Sequence, residues 1–126
     1  MKNDNIVLES IDEHMNGLIW FLNHDDCLAE ALGSNCSVKI SKQDFMETNK
    51  KWAAENCADL FAIVLEKKAI GMISLSHQDA NSHTAQIGYW LGSQYWNKGY
   101  ASKAFQLIVD LAKRKRMKYV CSLIRK

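Results

Sequence analysis

One run constrains this chain more than any other: Gln86-Ile87-Gly88-Tyr89-Trp90-Leu91-Gly92-Ser93-Gln94-Tyr95-Trp96-Asn97-Lys98-Gly99-Tyr100-Ala101-Ser102-Lys103-Ala104. It reads as an aromatic-rich strand, a polar turn holding Gly99, and the first turn of a long helix. A strand delivered straight into a helix start leaves backbone N–H groups unpaired at the positive end of the helix. Anions bind there, phosphate above all. Gly99 supplies either an unusual backbone angle or room for a ligand to approach the main chain. On that reading the N–H groups from Asn97 to Ala101 converge on one anion. A glycine that merely ends a loop is the alternative that the spacing leaves open. The run is not a P-loop, because the Gly-Lys-Ser/Thr tail is missing, and it lacks the glycines of a dinucleotide fingerprint.

The flanking periodicities set the fold class. After Gly99, Ala101, Ala104, Phe105, Ile108, Leu111 and Ala112 form one apolar stripe, with Lys103, Gln106, Asp110, Lys113 and Arg114 largely outside it. Tyr119 to Ile124 is a strand. Strand, helix, strand is a crossover unit, so Thr84–Leu91 and Tyr119–Ile124 should lie parallel. Upstream, Leu60–Leu65 and Ala69–Leu75 pair as a hairpin across Glu66-Lys67-Lys68, followed by a polar loop from Ser76 to Ser82. Ile6-Val7-Leu8 is a short strand. Helices are expected from a Ser10/Glu13 capping box, over Cys27–Leu32 ended by Gly33, and from Ser41 with Asp44. The expected fold is α+β (mixed α/β), an antiparallel meander plus one parallel pair joined by a crossover helix.

Composition narrows the function classes. The 126 residues make a single domain, 1–126, and 48% hydrophobic with 24% charged residues excludes a disordered chain. Apolar runs are too short to span a membrane, and the N-terminus lacks the apolar stretch of a secretory signal. Cys27, Cys36, Cys57 and Cys121 are scattered, with no metal-ligand spacing. They are read as reduced thiols of a cytoplasmic protein without metal. A net charge of +2 does not by itself argue for nucleic acid. The run Lys113-Arg114-Lys115-Arg116, with Lys118, is better explained as cations at the negative end of a helix.

Ile87-Gly88-Tyr89-Trp90-Leu91 followed by Trp96-Asn97-Lys98-Gly99-Tyr100-Ala101-Ser102 resembles the acyl-CoA-binding motif of the GNAT superfamily of N-acetyltransferases. The branch it is most similar to contains the Rim-type ribosomal-protein N-terminal acetyltransferases. Ile70-Gly71-Met72-Ile73-Ser74-Leu75 and the order of elements also fit that branch, so the resemblance covers nearly the whole chain. It implies that acetyl-CoA is the co-substrate. The turn from Trp96 to Ala101 would hold the pyrophosphate, with Asn97, Lys98, Tyr100 and Ser102 nearby. Tyr89, Trp90 and Leu91 would run beside the pantetheine arm, and the Leu91 backbone N–H would stabilise the oxyanion. The acceptor would be a primary amine, either a protein N-terminus or a small molecule.

Two departures qualify that implication. Many relatives carry a carboxylate two residues before the Gly-Tyr-Trp, where this chain has Gln86, which cannot accept a proton at neutral pH. Glu13, Asp79, His77 and His83 are the remaining candidates for a general base, none within a supporting motif. Members also continue beyond the strand matching Tyr119–Ile124, whereas this sequence ends at Arg125-Lys126. A C-terminally shortened domain is therefore expected, with a homo-oligomer, most simply a homodimer, covering the exposed edge. The alternatives are an acyl-CoA-binding module with little turnover and a basic nucleic-acid-associated protein. Trp52, Tyr89, Trp90 and Trp96 are candidates for a substrate-side wall, although aromatics at such positions are usually core.

Overall fold

The computed structural model describes residues 5–33 and 39–117, and the backbone alone of 119–124. Strands follow one another across the sheet in chain order: β1 (Ile6–Ser10), β2 (Asp59–Leu65), β3 (Lys68–Asp79), β4 (Thr84–Leu91) and β5 (Tyr119–Ile124). The first four pair antiparallel. β4 and β5 run parallel, from Thr84 opposite Tyr119 to Tyr89 opposite Ile124. The helix α4 (Tyr100–Arg114) makes the crossover, as the apolar stripe requires.

Period-two alternation sorts side chains onto two faces. Ile73, Leu75, Ala85, Ile87 and Leu91 meet Ala104, Ile108 and Ala112 of α4. On the other face Ala62, Val64 and Met72 meet Leu18 of α1 (Met15–His24) and Phe45 of α3 (Lys42–Glu55). The helix start expected at Ser41 with Asp44 is a capping box: Ser41 Oγ accepts from the Asp44 N–H, and the Asp44 carboxylate accepts from the Ser41 N–H. The short helix α2 (Asp26–Leu32) ends at Gly33, whose φ of 72° is the left-handed C-terminal cap that glycine allows.

Several expectations change. Ser10 does not form a capping box with Glu13; its hydroxyl accepts from the Asp12 N–H and starts a 3-10 turn, Ile11–Glu13, with α1 beginning only at Met15. His14 breaks the helix there, its imidazole 2.6 Å from the Glu9 carboxylate. The stretch Ser76–Asp79 is strand rather than loop. Backbone N–H groups of His77, at a φ of 52°, and Gln78 donate to the carbonyls of Asn56 and Cys57, partners remote in sequence, where the pairing with β4 is irregular. The hairpin turn is the pair Glu66-Lys67, both at positive φ, and Lys68 already belongs to β3. Cys27 and Cys57 are exposed free thiols. Cys36 and Lys118, and the side chain of Cys121, lie outside the described residues.

Candidate functional site

Among the described residues, the end of β4 is left as an unpaired edge. Gly71 of β3 faces Leu91, and the next N–H, that of Gly92, donates to the Ile70 carbonyl at 2.8 Å. Strand alternation therefore turns the N–H and carbonyl of Leu91 toward the opposite, β5 side. The β4–β5 ladder stops at Tyr89. On that side the Trp96 indole N–H donates to the Leu91 carbonyl at 2.9 Å, while no acceptor is found among the described residues for the Leu91 N–H. A backbone donor in this position can pair with a ligand carbonyl.

The turn follows within a few residues. After a 3-10 segment, Ser93–Tyr95, Asn97 and Gly99 adopt positive φ (62° and 83°), and Gly99 becomes the N-cap of α4 without a side-chain cap. Among the described residues no acceptor is found for the N–H groups of Tyr100, Ala101 and Ser102. Asn97, Lys98 and Gly99 are exposed, and a methyl built on Gly99 would meet nothing within 4 Å. The glycine is thus needed for its backbone angle and leaves open space in front of the helix end. No acidic residue occupies the first turn of α4, while Lys98 and Lys103 flank it. Free donors, the helix dipole and nearby cations together suit a phosphate.

Two supports of this region carry no local sequence signal. Asp25, at the N-cap of α2, accepts from the Ser93 N–H and Ser93 hydroxyl, each at 2.7 Å, and from the Leu28 N–H at 3.1 Å. It ties the α1–α2 corner to the segment leaving β4. Gly71 lies so close to β4 that an added methyl would sit 2.1 Å from the Trp90 carbonyl oxygen. An Asp followed by a helical pattern marks Asp25 as a cap, but nothing near it in sequence points to Ser93. For Gly71 the reason is a contact twenty residues away.

On the face opposite α4 a cleft of about 340 Å³ lies between α3 and the sheet. Its lining includes Trp52, Leu60, Met72, Ser74, Gly88 and Trp90, and none of the described lining residues is charged. Of the four candidate wall aromatics, Trp52, Tyr89 and Trp90 border this cleft. Trp96 does not; its ring packs on the α4-side core, held by its bond to Leu91. Gln86 shares the cleft's face of β4 by alternation, and its backbone carbonyl accepts from Ser76 Oγ at 3.5 Å.

The other candidate bases are occupied elsewhere. His77 Nδ1 lies 3.0 Å from Ser76 Oγ, and His83 Nδ1 lies 3.0 Å from the Arg116 carbonyl. Asp79 accepts from the N–H groups of Asn81 and Ser82, which hold its carboxyl below the usual range. Glu13 sits with Glu9 and His14, away from the cleft lining. Of the basic run, Lys115 is bound by Asp59 and by the Gln78 amide oxygen. That lysine lowers the Asp59 pKa chiefly through its hydrogen bond, against a smaller opposing effect of partial burial.

The family model of the acetyltransferase (GNAT) domain matches residues 6–126. The chain belongs to the GNAT acetyltransferase domain family. Within it, an uncharacterized N-acetyltransferase p20 of Bacillus licheniformis is 31% identical over 70 residues, 54% of this chain and 39% of that protein. The ribosomal-protein-serine acetyltransferase of Escherichia coli is 36% identical over 52 residues, 41% of this chain and 29% of that protein. The matches thus span less than half the length of these curated relatives. Among solved structures, the microcin C7 self-immunity acetyltransferase MccE, in complex with acetyl-CoA and AMP, superposes with a TM-score of 0.67 at 24% identity. That superposition covers 94% of this GNAT domain and 69% of the MccE chain, and the likeness is one of fold. Among the described residues no helix is long and apolar enough to cross a membrane.

Proposed function

We propose that this GNAT domain transfers acetyl from acetyl-CoA to a primary amine by direct attack in a ternary complex. The observation that carries the reading is the continuity of two donor sets. The outward N–H of Leu91 and the N–H groups of Tyr100 to Ser102, which find no acceptor among the described residues, are joined by the left-handed turn at Gly99. The acetyl-CoA bound to the MccE structure supports the same co-substrate here. The pyrophosphate would lie against Tyr100, Ala101 and Ser102 at the helix end, with Asn97 and Lys98 beside it. The pantetheine amides would pair along Tyr89, Trp90 and Leu91 as an added strand does.

In the reaction the amine nitrogen must be neutral. Its lone pair attacks the thioester carbon, and the carbonyl oxygen gains negative charge that the Leu91 N–H stabilises. The C–N bond forms, the C–S bond breaks, and the proton lost by nitrogen ends on the departing CoA thiolate by way of water. Gln86 cannot take that proton, so the amine must lose it to water. The same residue favours the second reading, a domain that binds acetyl-CoA and turns over slowly. The exposed thiols of Cys27 and Cys57 suit a reducing compartment such as the cytoplasm. Among the described residues β5 pairs only with β4, and a homodimer that covers its outer edge is the simplest assembly. A monomer by light scattering at micromolar protein would rule that assembly out.

The decisive measurement is the melting temperature with and without acetyl-CoA. At a hundred times its dissociation constant, a ligand of the native state stabilises by about 2.7 kcal/mol. That corresponds to a rise of roughly 10 °C for a domain of this size. Gly99→Val, β-branched at a φ of 83°, should lose most of that rise, whereas Gly99→Asn, which tolerates the left-handed region, should keep it. Equal rises in the native protein and Gly99→Val would refute the assigned turn. Release of CoA thiol with a panel of amines then separates turnover from binding alone.

A further inference from the structure

We propose that the cleft under α3 is the acceptor subsite, and that it selects primary amines carrying an uncharged apolar or aromatic group. The proposal rests on the acetyltransferase reading and adds the class of the second substrate. Position comes first: Trp90 lines the cleft and immediately precedes Leu91, so an amine at its mouth lies beside the outward N–H of Leu91. The cleft is on the face opposite α4, so the two substrates reach β4 from different sides. Its 340 Å³ is at the small end of ligand sites, room for one ring-sized group.

Chemistry comes second. Trp52, Leu60, Met72 and Trp90 make an apolar wall, and Trp52 keeps 38% of its surface exposed at the rim. A polyamine or a lysine-rich segment needs carboxylates to hold its cations, and the described lining has none. The same apolar wall acts on the reacting nitrogen. Desolvation disfavours the ammonium form, so an amine entering here sheds its proton to water more readily than in solution. That removes much of the need for a carboxylate at position 86. Ser74 Oγ donates to the Gly88 carbonyl at 3.4 Å and keeps its own lone pairs to accept an amine N–H.

The test compares 2-phenylethylamine with spermidine, in the full chain and in Trp52→Ala and Trp52→Phe. Thiol release is followed at saturating acetyl-CoA, and amine binding by calorimetry on CoA-saturated protein, so that a slow enzyme is still read. The expected result is a preference for 2-phenylethylamine, lowered about tenfold by Trp52→Ala and restored by Trp52→Phe. The acetyl-CoA melting shift should be the same in all three proteins. Spermidine bound or used better than 2-phenylethylamine, or a Trp52→Ala protein indistinguishable from the native one, would overturn the subsite. Loss of the acetyl-CoA shift in the native protein is the separate outcome that would remove the acetyltransferase reading itself.

Discussion

Gly71→Ala tests the end of β4 most directly. Ile63 pairs with Gly71 and Val64 with Ala69, so Ile70 is an extra residue in β3, and the bulge turns Gly71 onto β4. An alanine methyl there would lie 2.1 Å from the Trp90 carbonyl oxygen and 2.9 Å from Leu91 Cα. A relaxed carbon–oxygen contact is about 3.3 Å or more, so one backbone must retreat by roughly 1 Å. Both groups are main chain in adjacent strands, with no flexible end to yield. The upper part of the usual overpacking range applies, about 3 kcal/mol, or roughly 10 °C in melting temperature. The functional consequence is separate. The Trp90 carbonyl and the Leu91 N–H belong to one peptide unit, so pressing on the oxygen swings the donor. Losing an aligned oxyanion donor costs about 100-fold to 1000-fold in kcat, and a tilted one should cost at least about tenfold. The assays are thermal melting and thiol release, with the melting of Gly88→Ala as control. There the added methyl meets only Ser74 Oγ, at an ordinary 3.5 Å. If Gly71→Ala melts within about 2 °C of the native protein and turns over normally, the contact does not set the geometry of Leu91.

Asp25→Ala removes an N-cap and two charge-assisted bonds to Ser93, and should cost about 2–3 kcal/mol as read from the urea midpoint. A change under about 0.5 kcal/mol would mean that the clamp contributes no stability. Trp96→Phe deletes the donor to the Leu91 carbonyl, with an expected loss of about 1 kcal/mol at unchanged denaturant slope. An unchanged midpoint would count against that bond. Asp59 has its folded pKa below its ordinary 3.8, so its pairing with Lys115 stabilises the fold above that pH. The contribution fades as pH falls through the lower folded value. Lys115→Met should move the Asp59 titration, followed by NMR, up toward 3.8; an unmoved curve would contradict the assigned partner.

Local signals were readable and remote ones were not. Ser41 with Asp44, Gly33 and the α4 stripe act through bonds and periodicities within one element, so residue order alone reveals them. The extent of β4 follows equally from the apolar alternation of Ala85, Ile87, Tyr89 and Leu91. Ser76–Asp79 looks like loop because its polar residues are made strand by Asn56 and Cys57, which no window around them contains. Trp96 shows the limit within the site. Its place in the motif was legible, but the choice of face depended on where its indole N–H found an acceptor. Trp52 and Trp90 meet at a cleft only because α3 lies across β3 and β4 at that height.

The two ends of α4 are finished differently, and this sets how the helix breathes. At its C-terminal end the Lys115 and Met117 N–H groups close back on the last turn, Lys115 is fastened to β2 and β3, and the Arg116 carbonyl meets His83. At its front the turn at Gly99 joins it to β4 with no side-chain cap, and the Tyr100 ring meets Tyr95 edge to face. Opening therefore propagates from front to back. Amide deuterium uptake should be fast at Tyr100 to Ser102 and slow around Ile108 and Ala112. A bound pyrophosphate should slow only the front. Cofactor binding would then appear as the completion of a frayed helix, a local ordering that leaves the sheet beneath it unmoved.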